Sequence, residues 1–465
     1  MTYEIAKYIP SDNTDFQGNP FIECLPLRLT SDDFWEAVHD LVDVPYNLHE
    51  LTVETREQKA ANIMKSVCPT SEYYDIYCDF LNILKEGLAD RNPLNEDVQR
   101  WQNQVATSSF KRNRTTAPSL KFTGYSGMGK TTVIDSVLTT IEPVYKHSQH
   151  ELLGSKTLQI VYIKIDIPAE ANTHMICLMI ASQIDNVLGT NYEEQYEKLK
   201  RSLCIKKLVT LCSSLLVGVI IFDEIHNICF TAPNERKKIF MLFDQLTQVA
   251  RIPTLKIGTS KANRLSEQEF TNARRLGIPH EWRNYKQTSA DWDILINYAW
   301  GYQLTDKFVE LNAEFKNEIY SLIQGIPHCL FFLIEQCNKY CLRNGFSAFT
   351  LKIIKHVYDT KFSIMKSALI ALRHGKIDAF DDIMTTSREL DKEIQKLIKQ
   401  LLKIAEENKF TGEEARAIHE QIEPYLPEYK LTQKEAKTLK RLEKQIASEA
   451  TDIPTDEDGY EGLPL

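Results

Sequence analysis

The sequence predicts an α/β fold, a parallel sheet flanked by helices, with a helical N-terminal region before it and an all-helical lid after it. Two observations carry this. Between residues 119 and 258 strand-like and helix-like segments alternate, the pattern that winds a parallel sheet between helices. Inside that stretch residues 215–222 read LLVGVIIF, a continuous apolar run suited to a central strand buried on both faces.

Taken in order, residues 1–117 form the N-terminal region, with helical periodicity over 31–88 interrupted at 43–47 and 69–71. The core, residues 118–285, is expected to run strand 119–123, helix 130–140, strand 157–166 and helix 173–188. A helix at 192–213, the buried strand at 215–222, a helix at 236–249 and a strand at 254–258 complete it. Residues 286–386 make the lid, with helical periodicity at 305–324, 327–344 and 350–361 and little β signal. In the extension, residues 387–465, Leu390, Ile394, Leu397, Leu401 and Ile404 form a short heptad seam. Such a helix either docks into a partner or folds onto its own domain. Beyond it, Asp452, Asp456, Glu457, Asp458 and Glu461 lie among Pro and Gly and read as a disordered acidic tail.

Composition narrows the function classes. At 465 residues the chain has room for two or three domains, and 43% hydrophobic with 26% charged residues suits a soluble globular protein. No apolar run approaches the ~20 residues of a membrane span, and the start MTYEIAKYIPSDN lacks a secretory signal, so a cytoplasmic protein is expected, away from membranes. The ten cysteines include no C-x-x-C pair, and Cys329, Cys337 and Cys341 read as buried small apolar residues. The net charge of −9 argues against a protein coated in nucleic acid, yet residues 98–134 and 245–266 contain no acid at all. The first holds Arg100, Lys111, Arg112, Arg114, Lys121 and Lys130, the second Arg251, Lys256, Lys261 and Arg264.

The chemistry begins at Gly124-Tyr-Ser126-Gly127-Met128-Gly129-Lys130-Thr131, which fits G-x-x-x-x-G-K-[ST] between a strand and a helix. Glycines let backbone amides cradle phosphates at a helix N-terminus, and Lys130 neutralises the β and γ oxygens. Thr131 is placed to hold magnesium, with Thr132 beside it in the same loop. About ninety residues on, the buried strand delivers Asp223, toward the metal, and Glu224, the residue type that deprotonates an attacking water. This makes hydrolysis of ATP with Mg2+ the expected reaction. Thr259, at the end of the next strand, stands where a hydroxyl meets the γ-phosphate or the water, and Arg274 and Arg275 where a guanidinium reaches a neighbour's nucleotide.

These parts resemble an AAA+ P-loop ATPase, and several stretches resemble the TnsC family, the ATPase regulators of Tns-type, in part CRISPR-associated, bacterial transposons. The resemblance rests on NPFIECLP at 19–26, GYSGMGKTT at 124–132, VYIKID at 161–166 and LGTNYEEQY at 188–196, then IIFDEIHNI at 220–228, IGTSKA at 257–262 and NARR at 272–275. It implies an ATP-dependent protein that assembles on double-stranded DNA as a ring or helical filament. Such a protein links a target-selector protein or CRISPR effector to the transposase and its endonuclease subunit. By matching motif it makes Thr259 the first sensor and Arg274 or Arg275 the arginine acting in trans. One departure stands out: where many AAA+ lids carry Gly-x-x-Arg, this chain has Gly325-Ile-Pro-His328, which suits a slow switch more than a motor.

DNA held in such an assembly is contacted through phosphates, for which Lys111, Arg112, Arg114, Lys121 and Lys146 are the candidates. Two other classes share the core: a replication-initiator or helicase-loader ATPase, disfavoured because no winged-helix segment is recognisable after the lid, and a signalling ATPase without nucleic acid.

Overall fold

The computed structural model describes residues 3–107, 116–263, 265, 277–375, 402, 403, 405, 414, 419 and 433–450, and the chain divides into two compact units, residues 1–363 and 364–465. In the first unit a strand, β1 (Glu4–Ile5), precedes a series of short capped helices. Helix α1 (Pro20–Glu23) starts where the Asn19 side chain accepts the Phe21 N–H, while its amide donates to Leu88 O at 2.8 Å. Helices α2 (Ser31–Val38) and α3 (Val53–Ala60) begin behind Thr30 and Thr52, whose hydroxyls each accept an N–H from the first turn. Such caps contribute about 1 kcal/mol apiece. Helix α4 (Ser71–Ala89) buries Tyr73, Ile76, Tyr77, Phe80, Leu84 and Leu88, spaced along one face, and α5 (Glu96–Thr107) follows it.

The core then runs β2 (Ser119–Gly124), α6 (Lys130–Thr139), β3 (Val144–Lys146), β4 (Leu158–Ile160), β5 (Tyr162–Asp166) and α7 (Thr173–Leu188). It continues through α8 (Tyr192–Glu197), α9 (Arg201–Ser214), β6 (Val219–Asp223), α10 (Pro233–Asp244), β7 (Thr254–Thr259) and β8 (Ile278–Trp282). Five strands form one parallel sheet in the order β5-β6-β7-β2-β8, and β1, β3 and β4 form a separate three-stranded sheet. The residues Val219 to Phe222 of β6 are wholly buried, and α7, α9 and α10 cover one face of the sheet through Ile176, Ile180, Leu208 and Phe243. Because β2 comes first in the sequence yet lies between β7 and β8, a crevice opens at the carboxyl ends of these strands, where α/β sheets bind ligands.

The structure bears out the α/β class and refines the elements. The strand expected at 157–166 is two strands in two sheets, since the Val161 N–H turns to Pro143 O and the chain changes partner there. The single helix expected at 192–213 breaks before α9, where Lys200 is extended. The apolar run at 215–222 becomes strand only from Val219, because Leu216 takes a left-handed φ of 48° in the turn out of α9. Strand β8 was not anticipated: IPHEW has no strand alternation, and pairing with β2 fixes it.

The acid-free stretches are also less of a basic surface than their composition suggests. Lys121 is buried within β2, its ammonium 2.9 Å from Asn263 Oδ1, so it is corrected from a DNA contact to a residue of the sheet interior. Lys256 is wholly buried in β7, bonded to Ser119 and Thr254 hydroxyls, and burial pushes its pKa down to about 7. Lys261 is buried as well, and Arg251 lays its guanidinium over the Trp101 ring.

After the sheet come α11 (Ala290–Gly301), also unanticipated, then α12 (Ala313–Ile323), α13 (Pro327–Asn344) and α14 (Leu351–Lys361), with Ser289, Asn312 and Thr350 capping the first, second and fourth. Cys329, Cys337 and Cys341 are buried along α13 as free thiols. The second unit contains α15 (Lys366–Arg373) and α16 (Gln433–Ala450), the latter burying Leu439 and Leu442. Among the described residues no helix is long and apolar enough to cross a membrane. Lys111, Arg112, Arg114, Arg264, Arg274, Arg275, the seam residues Leu390, Ile394, Leu397, Leu401 and Ile404, and the acidic tail lie outside the described residues.

His280 on β8 joins the edge of the sheet to α4, with Nε2 3.1 Å from Glu72 Oε2 and Nδ1 3.5 Å from Asp79 Oδ2. The hydrogen bond to Glu72 raises its pKa despite burial. A raised folded value means this contact stabilises fully below the unfolded imidazole pKa of about 6.5 and is lost as pH rises through the folded one. The thermal midpoint is therefore expected to fall more over that window in the natural protein than in His280→Gln. Equal pH slopes would contradict the assignment.

Candidate functional site

The carboxyl ends of β2, β6 and β7 open onto a cavity of about 390 Å³, within the usual ~300–1,000 Å³ of ligand pockets. Its wall holds Ser126, Gly127, Met128, Gly129, Lys130, Thr131 and Thr132 from the loop after β2, together with Glu224 and Thr259. Gly124, the last residue of β2, lies beneath that loop, and a Cβ there would come within 2.5 Å of Trp282 O. Gly127 and Gly129 have φ of 81° and 96°, a left-handed conformation that glycine adopts without the steric cost of a side chain. Gly129 immediately precedes α6, so the loop feeds a helix N-terminus, the arrangement that favours an anion.

Lys130 Nζ donates to the carbonyls of Gly124 and Tyr125 at 3.0 and 2.9 Å, which folds the ammonium over the loop it serves. Thr131 donates its hydroxyl to Asp223 Oδ2 at 3.0 Å, joining positions 92 residues apart. Asp223 is almost wholly buried, and its other oxygen accepts the Glu224 N–H at 2.8 Å. Lys164 adds a cation, 2.6 Å from Asp135 Oδ1 and 3.7 Å from Asp223 Oδ2.

Glu224 turns the chain with a left-handed φ of 56°, a conformation that costs a side-chain-bearing residue about 1–2 kcal/mol. Asn227 helps hold it, donating its N–H to Glu224 O and its amide to Ile167 O. Burial first, and the neighbouring Asp223 second, raise the Glu224 pKa, which strengthens it as a proton acceptor while its side chain stays half-exposed. The Thr259 hydroxyl is buried against the cavity with no hydrogen-bond partner among the described residues, and the Ser260 hydroxyl beside it is likewise buried without one.

The sequence motifs do not reveal the rest of the wall. Met64, Ser66, Cys68 and Thr70 come from the segment before α4, and Tyr73 from its first turn. Tyr285, Leu295, His328 and Phe331 come from beyond the sheet, and the Tyr285 hydroxyl is 2.7 Å from that of Thr70. His328, the last residue of Gly325-Ile-Pro-His328, donates its backbone N–H to Gly127 O at 3.1 Å and packs its Cβ against the same glycine. Lys146 stands on β3 in the small sheet, half-buried, and is not among the residues of the cavity wall.

The residues present fit a nucleoside triphosphate with a divalent cation. A positive-φ glycine loop, a lysine and a helix N-terminus meet an anion's needs, while a threonine hydroxyl and a buried carboxylate match the hard oxygen donors that magnesium takes.

Residues 112–265 match the family model of an AAA domain. Among curated proteins none matches the chain. Solved structures similar to it include the Drosophila ORC bound to DNA, at 14% identity and a TM-score of 0.40 over 88% of this chain and 87% of that one. Cdc6p from Pyrobaculum aerophilum is similar at 16% identity and a TM-score of 0.37, covering 76% and 86%. The Aeropyrum pernix ORC1 protein in complex with DNA is similar at 15% and 0.36, covering 76% and 81%.

Removing the Thr131 hydroxyl tests the fit to a metal apart from the fit to phosphate. Thr131→Val is expected to bind ADP as the natural protein does without magnesium, and to lose the gain in affinity that magnesium brings. Titration with and without the metal checks this, and a full magnesium response in the variant would contradict it.

Proposed function

We propose that this protein is an ATP-dependent, DNA-binding AAA+ regulator of DNA transposition. It oligomerises on double-stranded DNA and links a target selector to the transposase and its endonuclease subunit. The convergence of Lys130, Thr131, Glu224 and Thr259 on one cavity, with buried Asp223 bonded to Thr131 behind its wall, is the observation that supports an ATP switch. The stretches NPFIE, LGTNYE and GTSKA followed by ARR, which resemble TnsC, support the transposition role.

In this reading residues 118–285 are the ATPase core, 286–386 its lid and 387–465 the extension that meets other transposition proteins. Lys130 holds the β and γ oxygens, and Thr131 and Asp223 would hold magnesium, which would supply further neutralisation of the phosphate charge. Glu224 accepts a proton from the water whose oxygen attacks the γ-phosphorus as the bond to the ADP oxygen breaks. Thr259 offers its buried hydroxyl to the γ-phosphate or the water, and Arg274 or Arg275 reaches the nucleotide of the adjacent subunit. His328 in place of a lid arginine leaves the site one cation short, which suits slow, switch-like turnover. The DNA backbone falls to Lys111, Arg112, Arg114 and Lys146, without sequence readout.

Gel shifts on long duplex DNA, with ATP or ADP, test the reading. Binding that grows with DNA length, requires ATP and shows no sequence preference is expected, and the absence of binding would remove it. Lys130→Ala is expected to lose nucleotide and hence DNA. Glu224→Gln is expected to keep both while hydrolysis falls about 100-fold or more, leaving assemblies trapped on DNA. ATP-dependent DNA binding by Lys130→Ala, or normal turnover by Glu224→Gln, would count against the site.

A further inference from the structure

His226 belongs to the cavity wall, yet neither phosphate binding nor metal ligation has a use for it. Its Nδ1 lies 3.2 Å from Glu224 Oε2, and the backbone N–H of Thr259 is aimed at the same nitrogen across 3.4 Å. Backbone fit fixes this meeting. A Cβ on Gly258 would fall 2.8 Å from Ile225 Cγ2 and 3.2 Å from the His226 backbone nitrogen, so the turn after β6 rests directly on the end of β7. Cys229 Sγ, bonded to Lys261 O at 3.6 Å, closes the same seam further on.

The imidazole is mostly buried, and burial, with Lys130 and Lys261 nearby, pushes its pKa down to about 4. At neutral pH the ring is neutral, so Nδ1 carries a lone pair or a proton and never both. An ionised Glu224 can only accept there, and the Thr259 N–H can only donate. One nitrogen thus faces two neighbours with opposite demands.

We infer that His226 is a positioning residue for ATP hydrolysis, its Nδ1 being contested by Glu224 and Thr259 so that the direction of the hydrolytic carboxylate is tied to the end of β7. With the proton on Nδ1, the ring donates to Glu224 Oε2 and holds the carboxylate in that contact. With the proton on Nε2, Nδ1 accepts from Thr259, its lone pair repels the carboxylate, and Glu224 is turned away. A shift at Thr259 therefore reaches Glu224 through one ring. This rests on reading Glu224 as the base that activates water.

Three substitutions separate position from packing, because Asn sets an amide atom where Nδ1 stands, Gln sets one near Nε2, and Phe fills the ring with neither. ATP affinity and kcat of the full-length protein with duplex DNA are measured for each, with Glu224→Gln alongside. His226→Phe and His226→Gln are expected to lose about tenfold or more in kcat with affinity within about twofold, while His226→Asn stays within about threefold of the natural rate. An unchanged kcat in His226→Phe, equal losses in all three, or a loss carried by affinity would each overturn the role of His226. A natural rate in Glu224→Gln would overturn the hydrolytic reading itself, whereas a loss there with none in His226→Phe would overturn only this inference.

Discussion

The hydrogen bond from Thr131 to Asp223 is the interaction on which the site depends, because it joins the glycine loop to the strand-end acids across the sheet. Neither partner is placed by its own neighbourhood alone. Thr131 stands at the start of α6, which follows β2, and Asp223 ends β6 two strands away, with β7 between them. Only the parallel register brings the carboxyl ends of these strands to one level, with Gly124 opposite Thr259 in the ladder. The buried aliphatic residues of β6 and β7 therefore serve the chemistry by fixing where the polar ends fall.

Around that bond the site is held under constraint. Glu224 occupies a backbone conformation that few side chains favour, and it is kept there by bonds from Asn227 and to Asp223. Its raised proton affinity follows from burial beside a second carboxylate, opposed by Lys130 and Lys164. Gly127 leaves room for Ile326 and His328 to press on the loop, so the first turn of α13 and the phosphate loop form one packed surface. The loop therefore bears directly on the start of α13.

The glycine turn and the pair of acids are legible in the sequence because they are local, each announcing itself within a dozen residues. Helix α7 could be read for a similar reason, with an Asn cap before it and Gly189 in the left-handed conformation after it. The remaining wall was hidden, since Met64, Ser66, Tyr73, Tyr285 and Leu295 meet only through tertiary packing and share no spacing. Composition misled at Lys121 and Lys256, where lysines counted as surface charge lie inside the sheet, bonded to Asn263, Ser119 and Thr254. Of the stretches that resemble TnsC, two are structural joints. Asn19 caps α1 and ties it to the end of α4, and Asp185 gathers Thr190 and two backbone N–H groups in the turn after α7.

The claim that the glycine loop and the strand-end acids grip one polyphosphate is tested most directly by competition among ATP, ADP and AMP for a fluorescent ATP analogue in the presence of magnesium. A loop that holds the β and γ oxygens predicts that ATP and ADP displace the analogue while AMP does so about 100-fold less well, a difference of about 2.7 kcal/mol. Equal displacement by AMP, or no binding of the analogue at all, would contradict it.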